Sequence, residues 1–183
     1  LLKDKQVLLI GHGHIGKILE RALTPVAAEV HIYDPYENRN LDLLKTAANC
    51  EVIIPVAGLN QTSKHIINQA FLDILPDNFL IINGARGELI DTNALFSKLK
   101  SKKESFAYLD VFEEEPFNFK TIDHLANISL SSHIACCYNT LDQEMIEFIK
   151  NGLKDYLNLN TEKFNQKYDS LLLQNRIRDN LLI

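Results

Sequence analysis

Short apolar runs recur along this chain and are separated by stretches in which apolar and polar residues mix. The runs cover residues 6–10, 30–33, 52–56, 79–82, 106–109 and 128–130, and such short apolar segments predict buried β-strands. In the intervening stretches apolar residues return every three or four positions, which predicts helices over 15–23, 66–72, 92–100 and 141–157. Asp91 or Thr92 can cap the third helix. A last helical segment is predicted over 171–182.

The alternation of strands with helices indicates the fold class. Strands that are apolar on both faces need helices on both sides of their sheet, and this arrangement is typical of parallel sheets. We therefore predict an α/β fold with a doubly wound parallel sheet of six strands, a Rossmann-type dinucleotide-binding domain. In this architecture ligands bind beyond the carboxyl ends of the strands.

The composition of the chain argues against some classes of binding partner. The 183 residues carry a formal net charge of -5, which argues against nucleic acid and against an anionic membrane surface, because both attract basic patches. No apolar run approaches the roughly 20 residues that a membrane span needs. The three cysteines, Cys50, Cys136 and Cys137, suit a reducing cytoplasm better than a disulfide framework. We expect a cytoplasmic protein.

A glycine-rich turn joins the first predicted strand to the first predicted helix. Gly11 permits a tight turn, Gly13 lets a pyrophosphate approach the backbone, and Gly16 lets the helix pack closely on the strand. The N–H groups of His14 and Ile15, at the start of the helix, would then bind the phosphates. The turn therefore predicts a dinucleotide site.

A carboxylate at the end of the second predicted strand indicates which dinucleotide is bound. Asp34 follows Gly16 by 18 residues, at the place where an acidic residue hydrogen-bonds the ribose hydroxyls. Its charge would repel a 2′-phosphate, so NAD is predicted rather than NADP. The alternative is a solvated aspartate that begins an Asp-Pro turn. His12 and His14 have no third ligand nearby, so we interpret them as spacers in the turn and predict no metal site.

Three further polar residues follow later strands: Arg86, Glu115 and His133. A cation, a carboxylate and an imidazole can together bind and protonate a carbonyl compound, as a dehydrogenase of 2-hydroxy or 2-oxo acids must. Each also has a simpler interpretation. Arg86 could pair with Glu88 at the surface, Glu115 could belong to a solvated acidic loop, and His133 could be a hydrogen-bonded core histidine.

Five segments together resemble the D-isomer-specific 2-hydroxyacid dehydrogenases. They are, in chain order, residues 11–16, Asp34, 83–91, 110–116 and 133–135. The resemblance covers roughly residues 3–155. Its most specific blocks are the Ala-Arg-Gly and Asp-Val-Phe-x-x-Glu-Pro sequences.

What the resemblance implies agrees with the chemistry of these residues. Arg86 would bind the substrate carboxylate and polarise the carbonyl group, for which a planar guanidinium is better suited than an ammonium group. His133 would be the general acid or base, and Glu115 would accept a hydrogen bond from it and favour its charged form. The resemblance also implies that Ala85 and Asp110 bind the cofactor, Asp110 at the nicotinamide carboxamide.

The chain departs from the family pattern in several places. Ser132 stands where the family usually has proline, and Val56-Ala57-Gly58 stands where it typically has Pro-Leu-Thr. Cys136 and Cys137 are interpreted as small apolar fillers rather than metal ligands.

The ends of the chain also bear on its organisation. It opens on leucine rather than methionine and closes on three apolar residues, whereas natural termini are usually polar, so we expect a piece of a longer protein. Family members carry a second, substrate-side domain, and residues 3–6 already match the entry to the cofactor domain. We therefore predict a dinucleotide-binding domain over 1–157 and a tail over 158–183 that packs on a substrate domain absent from this chain.

The first interpretation is the cofactor domain of an NAD-dependent D-2-hydroxyacid dehydrogenase, acting on a small 2-hydroxy or 2-oxo acid and, by analogy with the family, homodimeric. An alternative of another class is a non-enzymatic NAD-binding sensor or scaffold module. The presence of all three reacting residues argues against that alternative, since a sensor does not need them. A third interpretation is a truncated gene product that binds NAD weakly or not at all.

Overall fold

The computed structural model describes residues 1–37 and 41–169, together with the backbone of Ile177–Arg178 and Leu181–Leu182. Six of its strands form one sheet in the order β2-β1-β3-β4-β5-β6, and every pairing between neighbours is parallel. The strands are β1 (Gln6–Ile10), β2 (Glu29–Tyr33), β3 (Val52–Pro55), β4 (Leu80–Asn83), β5 (Phe106–Leu109) and β6 (Ile128–Leu130). The predicted six-stranded doubly wound sheet is confirmed, and its order reverses between β1 and β3, where ligands of such sheets bind.

Within the described ranges, six α-helices accompany the strands. They are α1 (His14–Leu23), α2 (Leu43–Ala47), α3 (Gln69–Asp73), α4 (Thr92–Ser101), α5 (Leu141–Asn158) and α6 (Thr161–Lys167). The predicted cap of α4 is confirmed for Asp91, whose side chain accepts a hydrogen bond from Ala94 N. The helix predicted over residues 66–72 begins too early. Asn68 caps α3, and the preceding Ile67 is extended and bridges to Ile90. The short helices α2 and α6 were not predicted.

Strand β1 is buried on both faces, which explains its nearly continuous apolar sequence. Leu8 and Ile10 belong to the larger apolar cluster, and Val7 and Leu9 to the smaller one. Alternate residues of a strand point to opposite faces, so the two clusters lie on the two sides of the sheet. Burial of each such side chain contributes about 1.5–3 kcal/mol, and this core holds the strand ends in place.

The contacts divide the chain into two compact units, residues 1–133 and 134–183. The first contains the sheet and α1 to α4. The second contains α5, α6 and an antiparallel pair of strands, β7 (Ile177–Arg178) and β8 (Leu181–Leu182). The predicted boundary after residue 157, between a dinucleotide-binding domain and a tail, stays a prediction.

The helix predicted over residues 171–182 is wrong where the structure describes that segment, since both of its described parts are strands. Short apolar runs do not distinguish strand from helix by spacing alone. The other residues of that prediction lie outside the described part of the chain. None of the described helices has the length and apolar character that crossing a membrane requires.

Candidate active site

The residues predicted to carry the chemistry all follow the carboxyl ends of strands in the first unit. Gly11 follows β1, Asp34 follows β2, and Arg86 follows β4. Asp110 follows β5 directly, and His133 lies shortly after β6. A parallel sheet therefore brings these distant parts of the sequence to one edge.

Glu115 and His133 form a hydrogen-bonded pair. His133 Nδ1 lies 2.9 Å from Glu115 Oε2, and Glu115 Oε1 accepts a hydrogen bond from the backbone N–H of Phe112 at 3.1 Å. The hydrogen bond with His133, and then that from Phe112, lowers the pKa of Glu115. An ionised carboxylate is thus held against one nitrogen of the imidazole, and the hydrogen bond between them orients the ring.

The position of His133 is set by Asp110. His133 has a positive φ of 56°, which is uncommon for a residue other than glycine. Its backbone N–H donates to Asp110 O at 2.8 Å, and Ser131 Oγ donates to the buried Asp110 Oδ1 at 2.5 Å. These two bonds join the ends of β5 and β6. Ser132 precedes His133, so these hydrogen bonds and not a proline ring hold the backbone of His133 in place.

Arg86 lies in a turn that Asn83 shapes. The buried Asn83 side chain accepts from Ala85 N at 3.1 Å and donates to Arg86 O at 2.9 Å. Arg86 Nη1 donates to Ala85 O at 2.6 Å. Sequence analysis did not assign a role to Asn83, although a polar residue ending a buried strand was a usable signal.

Gly87 brings this turn against the loop after β5. A Cβ atom at Gly87 would lie 1.9 Å from the carbonyl carbon of Phe112, so only glycine permits this approach. The two segments enclose a cleft of about 230 Å³. Its lining includes all three predicted reacting residues, Arg86, Glu115 and His133.

A second histidine–glutamate pair supports the same loop, and sequence analysis missed it. Glu113 Oε1 lies 2.5 Å from His65 Nε2, and Glu113 Oε2 accepts from Thr92 N at 3.0 Å. Burial acts to raise the pKa of Glu113, but the hydrogen bonds from Thr92 and His65 outweigh it and lower the pKa. His65 also has a positive φ, of 51°. In the sequence Glu113 differs in no visible way from its neighbour Glu114, which is exposed.

The glycine turn has the shape of a phosphate site. Gly11 has a φ of 106°, and a Cβ atom there would lie 2.6 Å from Ala57 N. Gly16 packs against the Gly11 carbonyl, whereas nothing lies within 4 Å of a Cβ placed on Gly13. Because the N-cap of α1 is Gly13, no described side chain caps the amides that begin with His14 and Ile15. This open helix N-terminus fits the pyrophosphate of a dinucleotide.

Asp34 also fits the predicted cofactor. Its Oδ2 accepts from His12 N at 2.7 Å and its Oδ1 from Tyr36 N at 2.9 Å. Each carboxylate oxygen can accept a further hydrogen bond, so the ribose hydroxyls would find acceptors here. His12 differs from the spacer that the sequence indicated, because its side chain is buried between two glutamates.

The structure also places the two neighbouring cysteines that were interpreted as apolar fillers. Cys136 and Cys137 are exposed, so they fill no apolar space, contrary to expectation. Both follow His133, where the chain has left the sheet and entered the second unit. In the described part of the chain, no three His, Cys, Asp or Glu side chains are grouped as a metal site would require.

Several known proteins are similar to this chain in sequence. Residues 1–135 match the family model of the D-isomer specific 2-hydroxyacid dehydrogenase NAD binding domain. The chain is 31% identical over 180 residues to D-2-hydroxyacid dehydrogenase (NAD+) of Lacticaseibacillus paracasei, covering 85% of this chain and 53% of that protein. It is 35% identical over 143 residues to erythronate-4-phosphate dehydrogenase of Wigglesworthia glossinidia brevipalpis, covering 73% of this chain and 38% of that protein. The chain spans about half the length of the curated relatives it matches.

Solved structures share the fold. D-2-hydroxyisocaproate dehydrogenase matches with a TM-score of 0.72 at 27% identity, over 86% of this chain and 54% of that one. D-Lactate dehydrogenase from Aquifex aeolicus, solved with NAD and lactic acid, matches with a TM-score of 0.73 at 23% identity, over 90% of this chain and 57% of that one. The family model covers well over half of the chain, and its matched range, residues 1–135, includes the residues that line the cleft and form the glycine turn. The chain belongs to the D-isomer-specific 2-hydroxyacid dehydrogenases and contains the NAD-binding domain of that family.

Proposed function

We propose that this chain is the cofactor domain of an NAD-dependent oxidoreductase that interconverts a D-2-hydroxy acid and the corresponding 2-oxo acid. The observation that carries the proposal is the single cleft lined by Arg86, Glu115 and His133, in which the carboxylate and the imidazole are already hydrogen-bonded. A binding module has no need of an oriented acid–base pair beside a guanidinium group.

The cofactor would be held at the glycine turn and at the strand ends. The amides of His14 and Ile15 would bind the pyrophosphate, and Asp34 would accept hydrogen bonds from a ribose. Ala85 and Asp110 would lie on the nicotinamide side. When bound, NAD accepts hydride from the hydroxy acid, or NADH supplies it to the oxo acid.

The chain's own residues would bind the substrate and move one proton. Arg86 would bind the substrate carboxylate in a bidentate manner. With Nδ1 of His133 bonded to Glu115, Nε2 is the nitrogen that would donate a proton to the carbonyl oxygen during reduction and remove it from the hydroxyl group during oxidation. A positioned acid or base of this kind contributes roughly 10²–10⁴-fold in rate.

The proposal also covers the location, the oligomeric state and the partners of the enzyme. We propose a cytoplasmic homodimer, supported by three cysteines that remain thiols and by the family resemblance. The net charge of -5 argues against nucleic acid and an anionic membrane surface as partners, whereas Arg86 supplies a local cation for a small acid. The tail over residues 158–183 would pack on a substrate domain, whose closure would exclude water from the cleft.

The test is NADH oxidation by the full-length protein against a panel of small 2-oxo acids, with NADPH as the control. We expect turnover with NADH, and turnover with NADPH alone would refute the assignment of Asp34. His133→Ala distinguishes an enzyme from a sensor, because it should lower turnover by roughly 10²–10⁴-fold and leave NADH binding intact. His124→Ala, at a half-exposed surface histidine, is the matched control. NADH binding without turnover on any acid would favour the sensor module.

A further inference from the structure

His12 is a buried side chain inside the glycine turn, and it is surrounded by charge. Only 3% of its surface is exposed. Its Nδ1 lies 2.6 Å from Glu37 Oε2, and its Nε2 lies 2.8 Å from Glu20 Oε2. Lys17 Nζ lies 2.6 Å from the other oxygen of Glu37. These contacts connect the turn with helix α1 and with the segment after β2.

Both ring nitrogens of His12 lie within hydrogen-bond distance of a glutamate oxygen, so a ring with two N–H donors suits this position best. A neutral imidazole has one N–H donor and one bare nitrogen, whereas an imidazolium has two donors. Hydrogen bonds from Lys17 and then from His12 lower the pKa of Glu37, so this carboxylate is ionised at neutral pH. If His12 lost its proton, a lone pair would face a carboxylate oxygen in a buried place, and one contact would become repulsive.

The same residue connects the two parts of the cofactor site. Its backbone N–H donates to Asp34 Oδ2 at 2.7 Å, and its ring holds Glu37, which follows Asp34 in a short 3₁₀ turn (Pro35–Glu37). On its other side Glu20 belongs to α1, whose first amides would bind the pyrophosphate. His12 thus contacts both the helix that begins at the glycine turn and the segment that carries Asp34.

We propose that His12, protonated and held between Glu20 and Glu37, is a positioning residue for the adenosine-diphosphate half of the cofactor and makes its binding depend on pH. The inference rests on the proposed function, since it requires NAD at the glycine turn. Among the described residues, the charged groups around His12 are Glu20 and Lys17 on α1, Glu37 after β2, and Asp34 at its backbone N–H. Affinity would be highest while the ring is protonated and would fall as rising pH removes the proton.

The experiment measures the dissociation constants of NAD and of ADP-ribose for the full chain by calorimetry between pH 5.5 and 9. His12→Phe keeps the approximate size of the side chain and removes both donors. Glu20→Gln/Glu37→Gln keeps His12 and removes the requirement for its charge, because a glutamine amide can donate to a neutral ring or accept from it. His124→Phe is the control for loss of a histidine elsewhere, and circular dichroism checks that each variant is folded.

We expect wild-type affinity for both ligands to fall with rising pH. His12→Phe should bind ADP-ribose about tenfold more weakly at the acidic end, as loss of charged hydrogen bonds implies, and its affinity should depend less on pH. Glu20→Gln/Glu37→Gln should bind with a flatter pH profile, which a merely structural role of His12 would not produce. If His12→Phe does not fold, the profile of the double variant decides the question alone.

Two results would overturn the inference, and only the first of them leaves the proposed function intact. If wild type binds NAD and the double variant keeps the wild-type pH profile, His12 does not position the cofactor, and the proposed function is untouched. If wild type binds neither ligand at any pH, the NAD site itself is wrong and the inference falls with it.

Discussion

His133 Nδ1 lies 2.9 Å from Glu115 Oε2, although strand β6 and its preceding loop separate the two residues along the chain. The pair forms because β5 and β6 are neighbours in the sheet and both loops leave the same edge. Asp110 joins the loops a second time through its bond to His133 N. The reacting pair is therefore a product of sheet order and not of local sequence.

Glu115→Gln should impair catalysis more than substrate binding. The carboxylate holds the His133 ring in one orientation through their hydrogen bond, and a neutral amide binds the ring less strongly. In the full-length protein we expect kcat for 2-oxo acid reduction to fall by roughly 10²-fold and KM to change much less. Steady-state kinetics measure both constants. A wild-type kcat would show that Glu115 does not act through His133.

Arg86→Lys should raise KM for the oxo acid. The ammonium group keeps the charge but cannot make the paired hydrogen bonds of a guanidinium group with a carboxylate. Loss of one charged hydrogen bond corresponds to roughly a ten- to hundredfold fall in kcat/KM. Arg21→Lys, at the end of α1, is the matched control. A wild-type KM in Arg86→Lys would place the carboxylate elsewhere.

Gly87→Ala should destabilise the first unit. The new Cβ atom would overlap the Phe112 backbone at 1.9 Å, so the two loops would have to separate. Overpacking of this kind costs about 1–3 kcal/mol, measurable by urea unfolding. Gly58→Ala provides the control, because nothing lies within 4 Å of a Cβ placed there. Equal stability of the two variants would mean that the close approach at Gly87 is not present in solution.

Glu113→Gln should lower stability in a pH-dependent way. The folded-state pKa of Glu113 is lowered relative to the unfolded value of about 4.3. The ionised carboxylate therefore contributes stability above that pH, and the contribution is lost as pH falls through the folded-state pKa. We expect a loss of about 1 kcal/mol at pH 7 that shrinks in acid, measured by urea unfolding at several pH values.

The neighbouring residue supplies the control for that prediction. Glu114 is exposed, so Glu114→Gln should leave the free energy of unfolding unchanged at every pH. A pH-independent loss in Glu113→Gln would show that the ionised carboxylate does not stabilise the fold.

Regular elements could be predicted because their signals are local. Strand β1 and helix α4 follow from apolar spacing over ten residues or fewer and from one capping side chain, Asp91. Elements with weak local signals were missed or misplaced. Helix α2 is only one turn and a half long, and the apolar residues of the 171–182 segment suit a strand as well as a helix.

The sequence by itself determined the six-stranded sheet, the glycine turn and the residue types placed at the strand ends, because each depends on short-range pattern and backbone geometry. The pairing of Glu115 with His133 was expected from the family resemblance, and only the tertiary structure decided the other histidine–glutamate contacts. Glu115 contacts His133, Glu113 contacts His65, and His12 is buried between Glu20 and Glu37. Such contacts join residues that are distant in the chain, and their geometry is set by strand order and by close approaches such as that of Gly87. No spacing along a single sequence specifies these distances.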